Sequence, residues 1–406
     1  MLIAPPQNVE RHGRPALSAA VQVEGDSGLP ATLDYWVRHG SLVPDAQRAD
    51  AFVVALLPLA MRLGEPVVVQ GPVSTALAYG LRSVQHALAT WWPALFRRVE
   101  VRYEQLDADP APGPRPPGVG CCFSGGVDSW YTVLSHLAGS EPLAPYRISH
   151  ALITHSFSQL DDTQPDDDRA ERLHAVYAPL LAARGVELML VESNLRRFRD
   201  RILRDGGRMK SYASSLLSWA HALGRHFGRF HLAGHSTWAY RDMTTFGSHL
   251  ALDHHFGSDR LQVLHFGAGA TRSERIEYIA GAPDALRSLR VCLAQSGLTA
   301  EPGQIMNCGR CKKCMRTLMV LDMLGQREAC TTFPADVDLR AMQRASVLAA
   351  DYESFLIDNL ALARRTGRSD WEKPLAKALR MRLRRAARRE RRVIRAEAAA
   401  SPPATQ

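Results

Sequence analysis

Nowhere in this chain do the roughly 18–20 uncharged apolar residues needed for a membrane-crossing helix run together, and Met1 to Pro15 lacks the apolar stretch of a secretion signal. The expectation is a soluble, cytoplasmic protein with no membrane partner. Cysteine is scarce and odd in number, seven in 406 residues, and three are crowded into Cys308-Gly-Arg-Cys311-Lys-Lys-Cys314. In a chain with no secretion signal this argues for reduced thiolates on a metal rather than disulfides. A net positive excess is absent from most of the length: the formal net charge is +9, but Lys373 to Arg395 alone carries two Lys, nine Arg and one Glu, a net +10. The basic character therefore belongs to one tail, which has no aromatic residue after Trp371 to stack on a base. What is present is ordinary for a globular protein, 46% hydrophobic and 22% charged, which excludes a mainly disordered chain. At about 150 residues per domain the length suits two or three domains.

The clearest break is Pro110 to Pro117, where five of eight residues are proline and no helix or inner strand can run through. Residues 1–109 then read as a small α+β module, 110–117 as a linker. In the module Arg48 to Leu63 has helical apolar spacing, Pro66 to Gln70 reads as a strand, Ser74 caps a helix reaching Trp92, and Val99 to Tyr103 is a further strand. Beyond the linker, strands at Gly118 to Phe123, His150 to His155, Val186 to Val191, Phe230 to Ala233 and Leu261 to Phe266 alternate with helices. Those helices run Asp128 to Leu137, Asp168 to Ala183, Tyr212 to Phe227 and Arg272 to Ile279. This alternation predicts a mainly parallel α/β sheet over 118–290, covered on both faces, with ligands beyond the carboxyl ends of its strands. Residues 291–325 read as a cysteine knuckle and its helix, and 326–406 as a helical region ending in the basic tail.

The strongest local signal is Ser124-Gly125-Gly126-Val127-Asp128-Ser129, set between the first of these strands and a helix. Two glycines allow a tight turn against an anion, the helix offers amides and its positive dipole end, and Ser124 and Ser129 add hydroxyl donors. Asp128 would repel a phosphate unless a divalent cation lay between them, so its expected role is to hold Mg2+ on a polyphosphate. No Gly-Lys-Ser/Thr follows, which excludes a Walker loop. Eight of the fifteen histidines fall between His221 and His265 without ligand-type spacing, a pattern weighed toward packing and surface.

The SGGVDS stretch resembles the signature of the PP-loop ATP pyrophosphatase superfamily. That resemblance implies a Rossmann-like domain and cleavage of ATP between the α and β phosphates, with AMP transferred to a substrate oxygen and then displaced by a nitrogen or sulfur nucleophile. It implies that Ser124, Asp128 and Ser129 serve catalysis and that all six loop residues hold ATP. By strand order it places adenine near Thr154, His155 and Ser156 and near Gly234, His235 and Ser236. Each of these six could equally be a strand-end residue bonding its own turn.

In the knuckle, a turn at Gly309 lets Cys308, Cys311 and Cys314 converge on one ion, and Cys292 is the nearest upstream fourth ligand, giving C-x15-C-x2-C-x2-C. Zinc is the expected metal. An iron–sulfur centre and three unligated core thiols are the rival readings, and Cys330 is an outside alternative for the fourth position. The combination resembles the zinc-bearing 7-cyano-7-deazaguanine (queuosine precursor) synthase branch of the superfamily over roughly Gly118 to Gly325. It departs from that branch in a longer gap before the cluster, about 115 residues ahead of the loop and about 80 after the knuckle helix.

The resemblance implies an ATP-dependent ligase joining carbon to nitrogen on a small deazaguanine-like substrate, with operon partner proteins of the kind found in bacterial defence systems. A tRNA-modifying enzyme docked through the basic tail, or an ATP-sensing module, is the alternative. The tail itself, Lys377 to Arg395, fits a helix with Leu379, Leu383, Ala386 and Ala387 on one side, and reads either as a nucleic-acid contact or as a solvated helix.

Overall fold

The computed structural model describes all residues except 26–27, 46, 108–114, 155–166, 204–209, 236, 240–246, 293–303, 345–347, 349–351 and 401–406. Pro110 to Pro114 of the linker, and His155, Ser156 and Ser236, lie outside the described residues. By contacts the chain falls into two compact units, Met1–Ala270 with Leu298–Ile305, and Thr271–Gly297 with Met306–Gln406.

The first unit is built on one large sheet and a small two-stranded ribbon. Its amino-terminal strands are β1 (Leu2–Ile3), β2 (Gln7–Arg11), β3 (Arg14–Gln22), β4 (Thr32–His39), β5 (Val67–Val69), β6 (Val73–Ser74), β7 (Val101–Tyr103) and β8 (Leu106–Asp107). Five more follow: β9 (Gly118–Cys122), β10 (His150–Thr154), β11 (Glu187–Ser193), β12 (Phe227–Ala233) and β13 (Gln262–Phe266). Eleven strands join in the order β13-β12-β9-β10-β11-β4-β3-β1-β5-β7, with β2 paired to β3, while β6 and β8 form a ribbon of their own. The run from β13 to β11 is wholly parallel, and β4 then meets β11 antiparallel. Counted from β9, the parallel strands lie third, second, first, fourth, fifth from one side to the other, so the chain order reverses at β9.

Helices cover both faces. Val127–Ser135 and Asp167–Ala182 share one face, where the rings of Trp130 and Tyr177 meet Phe123 at 5.0 and 5.1 Å. Helices Asp50–Leu63 and Tyr212–Ala222 lie in the main hydrophobic core with Tyr35 of β4, whose ring stands edge-on to Phe52 and Trp219. Ser74 caps Thr75–Trp91 by accepting from Leu77 N, as its position before an apolar helical repeat predicts.

The linker expected at 110–117 is not the edge of a separate core. Strand β4 crosses to β11, and Met1, Leu33, Phe52, Met189, Phe230 and Val263 all belong to one cluster of buried side chains. Polar residues make this join. Asn194 accepts from Asp34 N at 2.9 Å and donates to Thr32 O at 2.8 Å, and Glu192 accepts from Trp36 Nε1 at 2.8 Å. The buried Asp34 and the alanine-rich β3 break the apolar alternation that announces a strand, so β2, β3 and β4 escape a hydrophobicity reading. Helix Leu195–Ile202 is likewise an addition to the expected elements.

The second unit is helical. It opens with Arg272–Ala280, whose start is a capping box between Thr271 and Glu274, and it includes Lys312–Met323, Glu353–Arg365 and Ser369–Ala400. Residues 271–290, expected to belong with the parallel sheet, pack in this unit.

Candidate functional site

The loop 124–126 leaves the carboxyl end of β9, the strand at which the order reverses, and leads into Val127–Ser135. In open α/β sheets ligands bind at such a point. Gly125 has φ +72°, and a Cβ there would lie 1.9 Å from the Tyr177 hydroxyl, so conformation and space both demand glycine. Gly126 is the N-cap and supplies no side chain, and the helix has no side-chain cap hydrogen bond. Ser124 N donates to Ser129 Oγ at 3.3 Å, Gly126 N to Ser124 Oγ at 3.4 Å, and Ser129 Oγ to Gly126 O at 3.0 Å. The two serines thus brace the turn from inside it. Ser124 is exposed and Ser129 is buried, while Asp128 is half-buried in the first helical turn, where a carboxylate also favours the helix dipole.

Thr154 ends β10 and Gly234-His235 follow β12, so these lie at the carboxyl ends of the two strands flanking β9. Gly234 N donates to Phe266 O at 2.7 Å, and His235 is exposed. The ladder therefore draws Ser124 to Ser129, Thr154, Gly234 and His235 to one edge of one sheet. Beneath the loop helix, the His136 ring lies against His231 with ring centres 3.9 Å apart and planes tilted by 39°. Burial, then the neighbouring His136, lowers the His231 pKa to about 3.

Two features of this edge are invisible to motif reading. Tyr177, fully buried, backs the loop from a helix about 50 residues downstream in sequence. Asp253, also fully buried, accepts from Ser248 Oγ at 2.7 Å, His249 N at 3.0 Å and His265 Nδ1 at 2.6 Å. An Asp-His pair twelve residues apart has no signature spacing, and the histidine-rich stretch hid it.

In the second unit the Sγ atoms of Cys292, Cys308, Cys311 and Cys314 all lie within 4.8 Å of one another. Four thiolates at ~2.3 Å from a tetrahedral ion stand ~3.8 Å apart. Cys308 to Cys314 is 3.8 Å and Cys311 to Cys314 is 3.4 Å, so the donor set fits one metal ion. Burial, then Cys311, Cys292 and Cys308, push the Cys314 thiol up, and a cation is what would let these sulfurs ionise together. Gly309 turns the knuckle at φ +66°. Cys311 N donates to Cys308 Sγ at 3.3 Å, and Cys311 is the N-cap of Lys312–Met323. Cys330 is not in the group: its Sγ donates to Leu286 O at 3.2 Å.

Asn307 sets the fourth ligand in place. It is 1% exposed, its Oδ1 accepts from Val291 N at 2.8 Å and Cys292 N at 3.0 Å, and its Nδ2 donates to Leu289 O and Thr332 Oγ1, both at 2.9 Å. An asparagine just before a CxxCxxC run carries no sequence signal of that role.

No helix among the described residues is long and apolar enough to cross a membrane. No family model matches this chain, and neither a curated protein nor a solved structure matches it significantly.

Proposed function

We propose that this chain is an ATP-dependent ligase of the PP-loop type. In this reading it cleaves ATP to AMP and pyrophosphate, adenylylates a carboxylate or amide oxygen of a small deazaguanine-like substrate, and joins ammonia or an amine to the activated carbon. The observation that carries it is the SGGVDS turn at the carboxyl end of the strand where the order of the parallel strands reverses, opening a helix that lacks a side-chain cap.

The roles follow from the residues. The tight Gly125-Gly126 turn lets backbone amides approach phosphate, and Ser124 and Ser129 hold that turn while offering hydroxyls. Asp128 is the residue to hold Mg2+, which when bound neutralises phosphate charge. Thr154 and Gly234-His235 flank the loop where a base would lie. Positioning and charge stabilisation supply the acceleration here without a large covalent apparatus. The four cysteines hold zinc in this reading, a structural ion because four thiolates leave no position open for water. The long basic helix favours a second reading, a tRNA-modifying enzyme of the same chemistry.

The test is mass spectrometry of full-length protein with ATP, Mg2+, ammonia and 7-carboxy-7-deazaguanine. AMP, pyrophosphate and a mass-shifted base are expected, and Asp128→Asn should remove substrate-dependent pyrophosphate release while the thermal unfolding midpoint stays within a few degrees. ADP or free phosphate as the product overturns the assignment.

A further inference from the structure

The side chain of His265 is held at one nitrogen and, among the described residues, has no hydrogen-bond partner at the other. His265 lies on β13, paired in register with Leu232 of β12, one residue before the strand ends. Nδ1 is 2.6 Å from Asp253 Oδ2, and a carboxylate there accepts the Nδ1 proton, leaving the Nε2 lone pair free. The side chain is 5% exposed, that of Asp253 0%, and Nε2 has no hydrogen-bond partner among the described residues. A buried polar atom left in this state is rare unless something else occupies it.

The surroundings say where Nε2 points. A Cβ on Gly234 would fall 2.1 Å from it, so the imidazole fills the space a side chain would take at the end of β12. That strand end is next to the end of β9, from which the Ser124 to Ser129 loop departs. Burial, and then the charges of Asp128 and Asp253, push the buried Tyr212 phenol up, so both carboxylates lie within electrostatic reach of one side chain. His265 and the loop that bears Asp128 thus lie at the carboxyl ends of β13 and β9, the two strands on either side of β12.

We propose that Asp253 and His265 form the proton-accepting pair of the ligase step, with His265 as the base and Asp253 as its positioning residue; the inference rests on the ATP-ligase reading above. The nitrogen of ammonia or a primary amine attacks the adenylylated carbon, and the N–C bond forms from the nitrogen lone pair. The C–O bond to AMP breaks and AMP leaves with that electron pair. The proton shed by the nitrogen passes to Nε2 of His265 and from there to solvent. Asp253 keeps Nδ1 protonated, so that Nε2 is the atom able to accept.

The test uses the full-length protein in two measurements. Histidine nitrogen NMR, with the His265 signals identified by their loss in His265→Gln, should give the Nδ1–H tautomer; Asp253→Asn, whose amide donates to Nδ1, should convert it to Nε2–H. In single-turnover reactions with 7-carboxy-7-deazaguanine, ATP and Mg2+, His265→Gln should release pyrophosphate at the wild-type rate and form the ammonia product about 100-fold more slowly. An Nε2–H tautomer in the wild type, unchanged product formation, or pyrophosphate and product lost in parallel would each refute the pair. Absence of pyrophosphate release by the wild type overturns the ligase reading and the displacement step with it. The tautomer then separates that failure from failure of the dyad's geometry.

Discussion

Gly125 shows how much a single position is asked to do. Its positive φ costs any other residue about 1–2 kcal/mol, and the Tyr177 hydroxyl occupies the place of a Cβ. Gly125→Ala is therefore expected to destabilise by at least about 2 kcal/mol, read as a lowered denaturation midpoint, and to weaken ATP binding as the loop is pushed off Tyr177. Unchanged stability would mean that the ring moves aside freely. His231, directly under the loop helix, makes the same residue-scale argument through pH. Its Nε2 is 3.1 Å from Tyr146 O, and its Nδ1 has no partner among the described residues, so protonation would bury an unpaired N–H. The folded pKa is about 3 against an ordinary ~6.5, so the stabilising effect of neutral His231 is complete above ~6.5 and fades as pH falls toward 3. Between pH 7.5 and 5 this group should cost about 2 kcal/mol, and in His231→Phe that part of the acid sensitivity should disappear. Denaturant midpoints of both proteins at the two pH values check it, and equal acid losses would refute it.

At the scale of elements, legibility tracked how local the cause was. The strands β9 to β13 announce themselves because they are short apolar runs bounded by turns, and the loop because glycine, serine and aspartate stand together. The cysteine group was legible for three ligands by spacing, and Cys292 for its position alone. What stayed hidden depends on partners far along the chain: Asp34 on Asn194, Gly125 on Tyr177, Cys292 on Asn307. A sequence scan sees neither the donor nor the acceptor of such pairs as a pair. The knuckle offers a direct test. Removing the Asn307 side chain strands two buried amides, at about 1–3 kcal/mol each, and frees the segment that presents Cys292. Asn307→Ala should retain about one zinc per chain at saturation but release it to a chelator 10–100-fold more readily, with Asn307→Asp between the two. Wild-type zinc retention in Asn307→Ala would refute the positioning role. A brown protein carrying inorganic sulfide would replace zinc with iron–sulfur.

At the scale of the whole molecule, proline content misled and charge did not. Five prolines in a row of eight suggested independent modules, yet a sheet can continue through strands supplied from both sides of such a linker, because pairing β4 to β11 needs proximity of strands and not of sequence. The charge asymmetry, by contrast, maps onto one element. Helix Ser369–Ala400 buries Trp371, Leu375 and Ala378 at its start, and every residue from Leu383 to Arg392 is exposed. A deletion that tests the tail must therefore begin after Met381, sparing the packed turns and removing eight arginines and one glutamate before residue 396. If the helix is a solvated extension, a chain ending at Met381 keeps its unfolding midpoint and its turnover on a small-molecule substrate, and this is the outcome expected from a remainder whose net charge is only +3. Any nucleic-acid binding by the intact chain should then be lost, with a slope of log affinity on log salt approaching about −6 if all seven net charges meet phosphates. A truncated chain that still binds ATP and fails only on an RNA substrate would overturn the expectation, because the arginines would then be delivering the substrate rather than extending into solvent.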